Sequence, residues 1–171
     1  MPRNILELKS MHIAPDRVQT LAVAREVAEL EGFELREEFF SPVYCPEDLV
    51  KHIAYYVEGK SYETQVRVDD TKGSIHYSYC GNNWLVMMMN LTRHKNDFDV
   101  EKVKASINNA NAFNKIHLCK YENMYFVDGD GNHRVCQAKF LGVEMVPCEV
   151  TEYVLSETFS DKNLPSFSEE S

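Results

Sequence analysis

Long apolar runs are missing from this 171-residue chain. Nothing in it approaches the ~18 consecutive apolar residues of a membrane-spanning helix, so no membrane partner is expected. The opening ten residues, MPRNILELKS, lack the apolar central stretch of a secretory signal, which sets a cytoplasmic expectation. Positive charge is short as well. Lys and Arg number 18 against 27 Asp and Glu, a formal net charge of −9. Strong nonspecific DNA binding draws on a basic surface, because phosphate neutralisation drives it, and DNA is therefore disfavoured as a partner. The deficit sits at the two ends. Residues 61–150 hold 10 basic against 11 acidic side chains, which leaves room there for a local anion pocket. Cysteine motifs are absent too. Cys45, Cys80, Cys119, Cys136 and Cys148 are odd in number and form no C-x-x-C. They read as reduced cytosolic thiols, neither a disulfide frame nor a zinc site.

What is present suits one domain, or one domain with an elaborated end, since 44% of the residues are apolar. Residues 15–31 have helical spacing, from Pro15 in the first turn to Gly32 as the stop. FELREEFF, residues 33–40, reads as a strand, and Pro46 to Glu58 as a second helix ending at Gly59. YETQVRVDDTKGSIHYSY reads as two strands around a turn at Asp70–Gly73, with Ile75, Tyr77 and Tyr79 alternating. WLVMMMNL is short and continuously apolar, which predicts a buried strand whose methionines fill the core. Val100, Val103 and Ile107 mark a short helix. KIHLCKY and MYFVD alternate around Glu122–Asn123, which predicts a hairpin. A helix follows from about Asn132, carrying Val135, Ala138 and Leu141 and ending at Gly142, and EMVPCEV returns as a strand. Residues 154–171 are acidic and Ser-rich and are expected to be loosely ordered.

The chemistry concentrates between that hairpin and that helix, in DGDGNHR, residues 128–134. A helix starting near Asn132 leaves its first N–H groups without internal partners, and these, with the helix dipole, suit phosphate. Gly129 and Gly131 permit positive φ and a close approach to the backbone. Arg134 offers a planar fork for phosphate oxygens, and His133 can donate to phosphate or move a proton near neutral pH. Asn132 can cap the helix or bond a ligand. Asp128 and Asp130 would repel a bare phosphate, so they serve either as turn-formers or, for Asp130, as an oxygen ligand to a bridging Mg²⁺. The competing reading is a plain tight turn, because Asp-Gly-Asp-Gly makes one readily. Local chemistry leaves the two level.

VDGDGNHRVCQAKFLGVEMVPCEV resembles the signature of the ParB/sulfiredoxin superfamily. There a strand leads into D-G-x-H-R or G-E-R-R, then a helix, then G-hydrophobic-x-x-hydrophobic-P and a strand. NLTRHKNDFDVEKVKASINNANAFNKIHL is similar to the family's earlier boxes, in which an arginine precedes a helix. The resemblance implies an α/β fold, with α+β the neighbouring class, built as a small mixed sheet with helices over 84–153. Residues 1–83 would be an N-terminal elaboration. It implies that Gly129, Gly131, Asn132, His133 and Arg134 hold nucleotide phosphates, with Arg93 as a further contact. His133 and Arg134 would be catalytic and Asp130 the metal ligand. ATP or CTP with Mg²⁺, and a small-molecule acceptor, are the expected ligands, for phosphoryl transfer or hydrolysis. Sulfiredoxins carry their reactive cysteine before His-Arg, where this chain has Asn132, so that chemistry is not expected. ParB proteins continue into a helix-turn-helix for which fewer than about twenty residues remain. The alternatives are a noncatalytic ParB-like binding module and a ParB-like nuclease.

Overall fold

The strands β1 (Tyr56–Arg67), β2 (Thr71–Ser74), β3 (Ile116–Tyr121), β4 (Met124–Val127) and β5 (Met145–Leu155) form one mixed sheet in the order β1-β5-β3-β4-β2. With them stand the one-turn helix α1 (Pro46–Leu49) and the helices α2 (Trp84–Asn90) and α3 (Asn132–Leu141). The computed structural model describes residues 35–76, 79–90, 115–129 and 131–157, with Leu21, Ala22, Arg25, Glu29, Lys104, Ala105 and Ile107; for Met89 and Asn90 it describes the backbone alone. The class is mixed α and β, as expected.

Alternation along each strand sorts the side chains onto two faces. Ile116 and Leu118 of β3, Val127 of β4, and Val146, Cys148 and Val150 of β5 bury the face covered by α2 and α3. Cys119, Tyr121 and Phe126 face the other way, against Val50, Leu49 and Ile53. The first cluster is the larger and includes Leu85, Met88, Val135, Cys136 and Ala138, all at most 0–1% exposed. Cys136 is core, with Sγ toward the Trp84 carbonyl.

The hairpin forms as its pattern predicts, with Lys120 opposite Tyr125 and Tyr121 opposite Met124. The helix over Asn132–Leu141 and the returning strand form as well. Four expectations are corrected. FELREEFF is not a strand where described; Glu37–Phe40 is a 3-10 turn that buries Phe39 against Phe140, ring centroids 4.0 Å apart. The Pro46 helix stops at Leu49, where Val50 is already extended at φ −100 and ψ 113, and His52 at φ 59 leads the chain toward the strand that starts at Tyr56. WLVMMMN is the helix α2, with every residue from Trp84 to Met88 buried. Finally, the two strands of 62–79 do not pair with one another. β1 runs antiparallel to β5, and β2 runs parallel to β4 and ends at Ser74.

The cysteine reading is corrected too. Cys45 and Cys80 form a disulfide, Cα atoms 5.6 Å apart across a separation of 35 residues. Sequence spacing could not reveal this, because the pair meets through tertiary bridges, Tyr44 with Gly73 and Pro42 with Asn83. Cys119, Cys136 and Cys148 are buried and form no disulfide.

Candidate functional site

The site grows out of the end of β4. Asp128 extends the ladder by one bond, its N–H donating to the His117 carbonyl at 2.8 Å. The chain then turns through Gly129 at φ 69 and Gly131 at φ 122. Gly131 has a second reason to be glycine: an added Cβ would stand 3.0 Å from Ile116 Cγ2 and 3.3 Å from Ile116 Cα. At Gly129 an added Cβ would meet nothing within 4 Å. Asn132 is buried, and its Nδ2 donates to the Gly129 carbonyl at 3.0 Å, which locks the turn. It is the first residue of α3 and not its cap. Gly131 is the N-cap, and among the described residues no side chain caps it.

The next two residues carry the polar chemistry. His133 is exposed on the first turn, and its Nε2 lies 3.1 Å from the Tyr79 hydroxyl, with the two rings edge-on and centroids 6.0 Å apart. Although its edge reaches solvent, desolvation of the ring lowers the His133 pKa from its ordinary 6.5, favouring the neutral imidazole. Arg134 is half-buried, and its Nη2 donates to the Lys115 carbonyl at 3.4 Å. The Lys115 ammonium pairs with Glu63 of β1. Asp128 closes the floor of the turn, accepting from the Cys119 thiol at 3.4 Å. Burial, with the Asp128 charge added, pushes Cys119 up to about 12, so it is a protonated donor and not a nucleophile.

Gly129, Gly131, Asn132, His133 and Arg134 therefore meet in one turn with Asp128. Arg93 and Asp130 lie outside the described residues. Among the described residues no group of three or more His, Cys, Asp and Glu could hold a metal ion. Sequence reasoning missed Tyr79. Its alternation with Ile75 and Tyr77 suggests a strand, whereas Tyr79 sits on a turn, its N–H bonded to the His76 carbonyl at 3.0 Å. His76 is stacked edge-on to the same ring at 5.8 Å. No spacing within the chain could announce a contact between residues 54 apart. No family model, no curated protein and no solved structure matches the chain.

Proposed function

We propose that the Gly129–Arg134 turn binds the phosphates of a nucleotide, ATP or CTP with Mg²⁺, and serves phosphoryl transfer or NTP hydrolysis. One observation carries the reading: α3 begins on a glycine at φ 122 that no side chain caps among the described residues, and its first turn presents His133 and Arg134. The backbone N–H groups at the start of a helix and its positive end suit an anion. The resemblance of residues 84–153 to the ParB/sulfiredoxin superfamily adds weight. In this reading Arg134 grips phosphate oxygens and stabilises developing charge, and a neutral His133 donates to phosphate or transfers a proton. Arg93 adds a contact, Asp130 is the ligand to Mg²⁺, and the setting is cytoplasmic.

A noncatalytic binding module is the second reading. It is favoured by one detail: His133 and Arg134 already have protein partners in Tyr79 and Lys115, an arrangement suited to a rigid cradle. The deciding experiment is titration calorimetry with ATP, CTP, GTP and UTP in Mg²⁺, followed by turnover of whichever binds. Arg134→Ala should weaken binding by about 1.5–3 kcal/mol, roughly ten- to a hundredfold. Arg134→Lys should recover only part of that loss, since an ammonium lacks the two-pronged geometry. A folded Arg134→Ala that binds like the parent would reduce the turn to scaffolding. Salt-resistant retention of duplex DNA would instead favour the nuclease alternative.

A further inference from the structure

We propose that the Cys45–Cys80 disulfide is a reversible clamp on Tyr79, so that the oxidation state of this pair sets whether Tyr79 stands against His133 at the glycine turn. The connection is short. Cys80 follows Tyr79 directly in the chain, and the Tyr79 hydroxyl is the described contact to the His133 ring.

The two ends of the clamp differ. Cys45 is the fixed end. It is buried, its N–H donates to the Asp48 carboxylate at 2.9 Å, and the residue before it is bonded into the edge of β2 through Ser74 N–H to the Tyr44 carbonyl and Tyr44 N–H to the Lys72 carbonyl. Cys80 is the movable end. It is part-exposed on the segment between β2 and α2, whose far side is held by Val43 and Asn82 and by Gly81 and Val43. Breaking the bond leaves Asn82 and Gly81 tethered to Val43 and removes the one covalent hold beside Tyr79, whose remaining ties include its turn bonds to His76 and Asn82 and its packing on the core.

Both states have partners for the sulfur. Cys80 Sγ lies 3.2 Å from the Ser74 carbonyl and 3.4 Å from the His76 carbonyl, so a thiol there has acceptors waiting. The other three cysteines are buried and form no disulfide, which leaves this pair as the one placed for exchange among the described residues. A disulfide in a reducing compartment is usually transient or redox-sensing, which fits such a device.

The chemistry balances with a dithiol as reductant. Its thiolate attacks the part-exposed Cys80 Sγ, the S–S electron pair leaves on Cys45 Sγ, and that sulfur takes a proton from water. The second thiol of the reductant then displaces Cys80 and closes the reductant's own disulfide. Two electrons and two protons pass to the pair.

The inference does not depend on the nucleotide, and neither does its test. The ring signals of His133 are followed by NMR in the oxidised full chain, after dithiothreitol, and after reoxidation, with Tyr79→Phe as the reference for a lost contact. Alkylation and mass spectrometry count free thiols in each state. Reduction should free two further thiols and move the His133 signals in the sense and by the amount seen in Tyr79→Phe, with reversal on reoxidation. Cys80→Ser should show the moved signals under all conditions. Identical His133 signals in oxidised and reduced protein would overturn the proposal. So would absence of the bond in aerated protein, or loss of the fold on reduction, which would make the bond a structural staple.

Discussion

The two glycines of the turn look equivalent in the sequence and are not. Both hold positive φ, which an L side chain adopts at a cost of roughly 1–2 kcal/mol. Gly131 also touches Ile116, so an added methyl must displace a β3 residue that is itself fully buried. Gly131→Ala should therefore cost about 2–4 kcal/mol, the backbone term plus a core disturbance. Gly129→Ala should cost about 1 kcal/mol, and Gly129→Asn less, because Asn tolerates the left-handed region. Urea unfolding of the three variants checks the order; equal losses at the two sites would contradict it. His133 gives a second test at this scale. Its folded pKa lies below 6.5 because burial disfavours the cation, so the unfolded chain binds the proton more tightly. The native state keeps its full stability above the unfolded pKa and loses some as pH falls through 6.5 toward the lower folded value. Thermal unfolding between pH 8 and 5.5 should show this dependence in the parent, and His133→Gln should flatten it.

At the scale of elements, local chemistry decides what could be read. The hairpin and α3 were legible because their signals are short-range: alternation around Glu122–Asn123, the glycines of the turn, and Gly142 at φ 68 closing the helix with its N–H on the Lys139 carbonyl. Tyr79 and the disulfide were illegible because they arise from contacts across 54 and 35 residues. WLVMMMN was misread for a different reason. A run that is apolar at every position has no period, and burial on all sides is available both to a central strand and to a helix pressed between layers. α2 takes the second option, with Trp84 under the Lys139 ammonium at 4.6 Å and Met88 wholly enclosed. Lys139 donates to the Val68 carbonyl at 3.2 Å, tying the end of α3 to the turn that follows β1. Met88→Ala should cost about 2–5 kcal/mol in urea unfolding, the usual range for a large-to-small change in a closed core. A loss under 1 kcal/mol would mean that α2 sits more loosely than its burial indicates.

At the scale of the molecule, residues 1–83 and 84–153 do not build separate sheets. The segment before Trp84 supplies both outer strands, β1 and β2, to the three strands that follow it. Removing it would strip two strand edges and take away Val66 and Tyr62, the β1 partners of Val146 and Val150, which are fully buried. A fragment beginning at residue 84 is therefore expected to lack a cooperative thermal transition, despite containing the whole glycine turn. A fragment with a sharp transition and dispersed amide signals would show that the outer strands are dispensable. One feature of this sheet reaches further. The outermost strands, β1 and β2, are successive in the chain, and only the three residues Val68–Asp70 lie between them. Four steps between Cα atoms span at most about 15 Å, whereas four strand spacings in a flat sheet separate its edges by about 19 Å. The sheet must therefore curve at least enough to bring the end of β1 and the start of β2 within that reach. Val68–Asp70 works as a drawstring: its length caps how far apart the end of β1 and the start of β2 can stand, and the Val68 carbonyl ties it to the last turn of α3 through Lys139.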